Sequence, residues 1–206
     1  MPHMTDSTYI HVVDDDASLR RALVFLLESV GWRVIAYESA EAFLVAFDRE
    51  LRPACLVLDI RMPMMSGLEL QQVLHGRGIR LPIVFLTGHG DVSMAVQAMK
   101  FGACDFIEKP FKDQALLDAV GRALRQDMER RSEKREREAL RERLARLSPR
   151  EREVALLVAE GLPSKTISTR LDISERTVQV HRLHLMAKLE IHSVAELAKM
   201  VVLGED

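Results

Sequence analysis

Asp14, Asp15 and Asp16 stand in a row after an apolar stretch, Tyr9–Val13, and Asp59 directly follows another, Cys55–Leu58. Thr87 follows a third, Ile83–Leu86, and Lys109 follows a fourth, Cys104–Ile107, immediately before Pro110. Carboxylates brought close together repel one another, and a divalent cation relieves that repulsion. Hard oxygen ligands at an open site suit Mg²⁺, which keeps several waters and binds through a few carboxylates plus a phosphate. A carboxylate is also a nucleophile toward phosphorus, giving an acyl phosphate. A lysine and a hydroxyl beside it bind the phosphoryl oxygens. Taken alone, the Asp14–Asp16 run has a plain structural reading, helix capping, which suits Asp16. Specificity comes from combining that run with Asp59, Thr87 and Lys109.

These groups act together only if the chain brings them to one place. Tyr9–Val13 reads as a strand, and Ala17–Val30 as a helix stopped by Gly31. Arg33–Tyr37 is a second strand, followed by a helix capped by Ser39 and running to about Phe47. Cys55–Leu58 is a third strand, and Ser66–Glu69 is a capping box opening a helix to about Leu74. Ile83–Leu86 is a fourth strand, before a helix over Asp91–Phe101. Cys104–Ile107 is a short fifth strand, and a last helix begins near Lys112. Strands alternating with helices predict an α/β fold, a doubly wound five-stranded parallel sheet covered on both faces. Its ligand sites lie beyond the carboxyl ends of the strands, where Asp14, Asp59, Thr87 and Lys109 fall.

The chain has 206 residues, 48% of them hydrophobic and 29% charged, which allows one or two cored domains and argues against wholesale disorder. The longest uninterrupted apolar runs are on the scale of Ala22–Leu27, too short to span a bilayer. No basic-then-apolar leader opens the chain. Its two cysteines, Cys55 and Cys104, cannot build a disulfide scaffold and read as packed, reduced thiols. The net charge of −2 is unevenly spread: −4 over residues 1–124, +3 over 125–147 and −1 over 148–206. Nucleic acid would therefore be met by one local face.

Of the 19 residues Arg125–Arg143, 14 are charged, with no Pro or Gly among them. Asp127/Arg131, Glu133/Arg137 and Lys134/Glu138 have helical spacing and opposite sign. One long exposed helix is predicted. Its apolar seam (Leu117, Leu124, Met128, then Ala139, Leu140, Leu144, Leu147) is interrupted between 128 and 139, so a solvated spacer and a dimerising helix both remain open.

Residues 148–206 carry only helical signals: a capping box at Ser148–Glu151 with Pro149 at the first position, a helix over Ser164–Leu171, another capped by Ser174 and running to about Leu189, and a fourth opened by Ser193–Glu196. The middle pair has the layout of a helix-turn-helix. At 100° per residue, Val178, Leu185 and Leu189 share the core side of the third helix. Arg176, Val180, Leu183 and Ala187 lie opposite, with Gln179 at the edge. Apolar side chains there can meet thymine methyls, while Arg and Gln bond base edges. Ser164–Leu189 holds five Lys/Arg and two Asp/Glu, a local +3 that attracts phosphates. The same apolar face also fits a protein-docking helical domain.

Residues 8–124 resemble the receiver domain of two-component response regulators, on the stretches VVDDD (12–16), LVLDIRMPMMSG (56–67), FLTGHGD (85–91) and DFIEKPF (105–111). The resemblance implies a flavodoxin-like fold and Asp59 as phosphoacceptor from a sensor histidine kinase. It further implies an Mg²⁺ site of Asp14, Asp15, Asp59 and the backbone carbonyl of Arg61, with Thr87 and Lys109 bonding the phosphoryl group. A cis Lys109–Pro110 bond and Phe106 as a switch aromatic also follow from it. Arg61 and His89 would look out over the phosphoryl group, with an inert surface role open for His89. Met64 departs from the small or acidic residue frequent at its place. Residues 147–191 resemble the DNA-binding domain of the FixJ/NarL (LuxR-type helix-turn-helix) family, on EREV, S-x-x-TV-x-VH and M-x-KL. This implies a recognition helix over about Glu175–Leu189 and phosphate contacts from Lys165, Thr177 and Arg182. Gln179 stands where lysine is frequent and Ser164 where asparagine is, departures that bear on which bases are read. His181 and His184 would touch the backbone or pack.

The expected organisation is a receiver over 8–124, a helical linker over 125–146 and a DNA-binding domain over 147–206. The expected function is a cytoplasmic, phosphorylation-dependent transcriptional regulator. It would dimerise on activation at a two-fold promoter site, with RNA polymerase as a further partner and no membrane. Two rivals come from other classes. One is a phosphohydrolase using Asp59, although a common hydrolase design wants a second Asp where Arg61 stands. The other is a protein-interaction adaptor that ignores DNA.

Overall fold

The structure is a computed structural model, and it describes residues 8–47, 54–88 and 92–205, without the side chains of Val92, Ser93 and Glu205. The chain divides into two compact units between Arg131 and Ser132.

In the first unit, β1 (Tyr9–Val13), β2 (Arg33–Tyr37), β3 (Ala54–Asp59), β4 (Ile83–Thr87) and β5 (Asp105–Glu108) form one parallel sheet in the order β2-β1-β3-β4-β5. The connecting helices are α1 (Ala17–Ser29), α2 (Ala40–Ala46), α3 (Gly67–Gly76), α4 (Val92–Lys100) and the start of α5 (Asp113–Leu144). The sheet is thus doubly wound, as expected. Alternation along the strands sends successive side chains to opposite faces. Leu56, Leu58, Ile83 and Phe85 join one core with Phe43, Leu70 and Leu74. Ile10, Val12, Val57, Val84 and Leu86 join the other with Leu23, Leu27, Leu116 and Val120. Both faces of β3 and β4 are buried throughout, which is why those strands read as unbroken apolar runs.

Helix starts follow local chemistry. Asp16 accepts from the amides of Ser18 and Leu19 at 2.7 and 3.2 Å, the capping role foreseen for it. Ser66 and Glu69 close a full capping box on α3. Boundaries shift slightly: β3 extends to Asp59, β4 to Thr87, and β5 begins at Asp105, whose carboxylate accepts the Phe106 amide at 2.8 Å. The Lys109–Pro110 bond is cis, as the family resemblance implied.

Buried positions on α5 are Leu116, Ala119, Val120, Ala123, Leu124, Asp127 and Leu144, while residues 132–139 are all exposed. Leu117 and Met128, expected in the seam, are only half-buried, because the face that meets the sheet is set by Leu116, Val120 and Ala123. Asp127 is not the surface partner that its spacing from Arg131 suggested. It is fully buried, accepts the Ala54 amide at 3.0 Å, and is flanked by Arg130 and by Arg131 at 2.6 Å.

The second unit holds α6 (Pro149–Ala159), α7 (Ser164–Leu171), α8 (Glu175–Leu189) and α9 (Val194–Glu205). Ser148 and Glu151 close a second capping box. Glu151 also receives Lys188 at 2.7 Å, tying α6 to α8. At α9 the box is altered: the Glu196 carboxylate takes the His192 amide while Ser193 caps the Glu196 amide. Val154, Val158, Ile167, Val178, Leu185, Leu189 and Leu197 make the core. Asp172 and Glu190 end α7 and α8 in the left-handed region.

Candidate functional site

The strand order places β1 beside β3, and the crevice at their carboxyl ends is the switch point where open α/β sheets hold ligands. Asp14 leaves β1 there and Asp59 ends β3 there; both side chains are buried. Asp15 is exposed, and oxygens of all three carboxylates lie within 4.8 Å of one another. Among the described residues this is the one group of acidic, His or Cys side chains so arranged. His181 and His184 belong to no such group.

Lys109, after β5, reaches the same point: its Nζ donates to Asp14 Oδ2 at 3.0 Å and to Asp59 Oδ1 at 2.9 Å. Burial pushes the Asp59 carboxyl above its ordinary value, against the pull of Lys109. Burial alone would depress Lys109, but its bonds to Asp59 and Asp14 outweigh that and hold the ammonium above the usual lysine range. Both shifts fit one charged cluster, short of positive charge, in a partly dry setting.

Thr87 ends β4 and is buried, its hydroxyl donating to Gly88 O at 3.2 Å. Its carbonyl accepts the Lys109 amide at 2.7 Å, fixing the β4–β5 ends together. Phe106 pairs in register with Phe85 and is half-buried against the core that contains it. Arg61 is exposed two residues past Asp59. His89 lies outside the described residues.

Three features escaped sequence reasoning. Arg20 donates to the Asp14 carbonyl at 2.6 Å, six residues away, a spacing with no helical meaning because α1 begins between them. Gly67 packs so closely that a Cβ would sit 2.3 Å from the Asp59 carbonyl oxygen. Met64 has a φ of 65°, a conformation that non-glycine residues disfavour, and is 95% exposed. A glycine after a capping serine was the sole available hint for the second, and none existed for the others.

The second unit offers a different surface. Arg176, Gln179, Val180 and Leu183 follow i, i+3, i+4, i+7 spacing along α8 and all are exposed, Val180 at 46% and Leu183 at 70%. Val178, Leu185 and Leu189 are buried opposite them, as the wheel arithmetic required. Thr177 is half-buried and its hydroxyl shares a hydrogen bond with the capping Ser174 at 2.7 Å. Arg182 lies 3.5 Å from Ser164 Oγ, and Lys165 is exposed at the start of α7. The stripe, with basic groups beside it, is suited to a duplex groove.

Residues 10–121 match the response regulator receiver domain family, and residues 145–201 match the bacterial regulatory proteins of the luxR family. The chain belongs to the two-component response regulators that join a receiver to a LuxR-type DNA-binding domain. It is similar to the transcriptional regulatory protein FixJ of Rhizobium meliloti (strain 1021), 47% identical over 98% of each chain. It is likewise similar to the response regulator protein TodT of Pseudomonas putida F1, 41% identical over 96% of this chain and 87% of that one. Among solved structures, response regulator StyR matches with a TM-score of 0.85 and 44% identity, over 95% of this chain and 98% of that one. Full-length FixJ from B. japonicum matches with 0.59 and 41%, over 96% and 97%. The chain is therefore a FixJ-like response regulator transcription factor, not a classical enzyme. No helix among the described residues is long and apolar enough to cross a membrane.

Proposed function

We propose that a sensor histidine kinase phosphorylates Asp59 and that the modified protein dimerises on a two-fold promoter site in the cytoplasm, where it engages RNA polymerase. The convergence of Asp14, Asp15, Asp59 and Lys109 carries this reading. The boundaries proposed are a receiver over 8–124, a linker over 125–146 and a DNA reader over 147–206.

The Asp59 carboxylate attacks phosphorus in line, the bond from phosphorus to the kinase imidazole breaks, and an acyl phosphate forms on Asp59. Lys109 moves its donors from the carboxylates to the phosphoryl oxygens. Thr87 exchanges its weak bond to Gly88 O for a phosphoryl oxygen. Phe106, on the strand beside Thr87's, turns into the space this vacates, giving a two-state surface sensed at a distance. Asp14, Asp15 and Asp59, with the Arg61 carbonyl, would hold Mg²⁺ through oxygen donors alone, and the ion, when bound, would supply charge that offsets the phosphoryl oxygens. The protein thereby catalyses its own phosphotransfer and dephosphorylation.

In the DNA reader, Arg176, Gln179, Val180 and Leu183 face base edges, while Lys165, Thr177 and Arg182 meet phosphates. The test is labelling by acetyl phosphate with MgCl₂, followed by footprinting on genomic fragments. Label should enter the native chain and not Asp59→Asn, and operator affinity should rise with label. Label retained in Asp59→Asn, or an operator affinity indifferent to it, overturns the proposal.

A further inference from the structure

Arg20 lies in the first turn of α1 and is half-buried. The local chain sets its place. Asp16 caps α1 through the amides of Ser18 and Leu19, and the Asp16 carbonyl accepts the Arg20 amide at 2.9 Å. From that anchored backbone the guanidinium folds back over the cap, and its Nη1 donates to the Asp14 carbonyl oxygen at 2.6 Å.

This bond completes the hold on Asp14. Asp14 Oδ1 accepts the Asp16 amide at 2.8 Å, Oδ2 accepts Lys109 at 3.0 Å, and the Asp14 amide donates to Tyr37 O at 3.4 Å. Each polar atom of Asp14 therefore has a partner, and for the carbonyl that partner is Arg20. A peptide group is planar, so fixing the Asp14 carbonyl oxygen also fixes the Asp15 amide and the point from which the Asp15 side chain departs. Asp14 and Asp59 are buried, and packing places them; Asp15 is exposed, and packing does not. Yet its carboxylate comes within 4.8 Å of the other two.

The charge of Arg20 works against this place. A guanidinium beside a cluster that takes a divalent cation repels that cation. Arg20 thus lowers cation affinity through its charge and raises it only through geometry, in the way outer partners orient the ligands of a metal. The two effects have opposite signs, so one measurement separates them.

We propose that Arg20 is a positioning residue for the divalent-cation site, setting Asp15 through the Asp14–Asp15 peptide, and that its net effect is to strengthen Mg²⁺ binding despite its charge. The proposal rests on the reading of Asp14, Asp15 and Asp59 as that site.

The test is calorimetric titration of MgCl₂ into the full chain at fixed ionic strength. Arg20→Ala should weaken Mg²⁺ binding about tenfold. Arg20→Met, which keeps the aliphatic stem, should do the same, and Arg20→Lys, which keeps a donor, should lie closer to the native chain. Arg21 is the charge control: it is exposed, and its Nη2 lies 3.3 Å from Ser18 Oγ. Arg21→Ala removes the same charge without touching Asp14, so it should bind Mg²⁺ as the native chain does or more tightly. The MgCl₂ concentration that half-saturates acetyl-phosphate labelling should rise in Arg20→Ala by the same factor as the Kd. Thermal unfolding without Mg²⁺ shows which variants are folded; a merely structural role would lower that midpoint and leave the Kd of the folded protein unchanged. Native or tighter Mg²⁺ affinity in folded Arg20→Ala or Arg20→Met overturns this proposal alone, as does equal weakening in Arg21→Ala. A native chain that binds no Mg²⁺ overturns it together with the reading on which it rests.

Discussion

Lys109 Nζ sits 2.9 Å from Asp59 Oδ1 and 3.0 Å from Asp14 Oδ2, so a single ammonium holds two buried carboxylates apart from their mutual repulsion. Lys109→Ala removes the cation that both carboxylates share and leaves Asp14 with the Asp16 amide at 2.8 Å. Urea unfolding at neutral pH should show a loss of about 1–3 kcal/mol. Because burial already raises Asp59, mild acid that protonates it should recover part of that loss in the variant. Labelling at Asp59 by acetyl phosphate should fall as well. Native stability and labelling in Lys109→Ala would remove the lysine from the site.

Gly67 tests the backbone under the phosphoacceptor. Its amide donates to Ile60 O at 2.9 Å, and an added Cβ would meet Asp59 O at 2.3 Å, a contact that backbone movement alone relieves. Gly67→Ala should destabilise the fold by about 2 kcal/mol or more and slow labelling of Asp59, since the strand end must move. Gly76 is the control, with nothing within 4 Å of its Cβ position. Gly76→Ala should be neutral or stabilising by up to about 1 kcal/mol.

The strand-end residues were legible because apolar runs fix where strands stop, and open parallel α/β sheets gather those stops at one edge. Asp59 and Thr87 proved to be the last residues of β3 and β4 rather than the first beyond them, a shift that leaves them at the same edge. Val178, Leu185 and Leu189 were legible because helical period alone sorts the faces of α8. Asp127 was misread for the same reason in reverse. Helical spacing exposes the partner four residues on, whereas the Ala54 amide lies 73 positions away in sequence.

Asp127 thus carries a tertiary contact. Asp127→Ala strands the Ala54 amide and leaves Arg130 and Arg131 facing each other without their anion. A loss of about 3 kcal/mol is expected in denaturant unfolding of the receiver. The exposed Lys134–Glu138 pair, at 3.5 Å on the same helix, should matter by less than about 0.5 kcal/mol when Glu138 is replaced by Ala. Equal effects of the two changes would show that Asp127 is a surface residue after all.

His11 sets a pH dependence. It lies buried among Tyr37, Phe43 and Phe47, with Nδ1 3.1 Å from the Tyr37 hydroxyl, and burial lowers its pKa to about 4. The unfolded chain, titrating near 6.5, binds more protons than the native state between those values. The contribution is therefore fully present above about pH 6.5 and is lost as pH falls toward 4. Replacing His11 by Phe should flatten the stability–pH curve across that window, read as unfolding midpoints at closely spaced pH values. An unchanged slope would mean that His11 is not what titrates.

On α8 the exposed stripe separates two kinds of contact. Arg176 and Leu183 project outward with Val180, whereas Thr177 spends its hydroxyl on Ser174. Arg176→Ala should weaken specific operator binding by about 1–3 kcal/mol and relax preference at one base position. Lys165→Ala should weaken all sequences alike and reduce the salt slope by about one. Leu183→Glu should abolish footprints without lowering thermal stability, because its side chain leaves the core intact and brings a negative charge to the duplex. Footprints that survive Leu183→Glu would assign the stripe to a protein partner instead, since an apolar docking face would then be the remaining reason for Val180 and Leu183 to stand in water together.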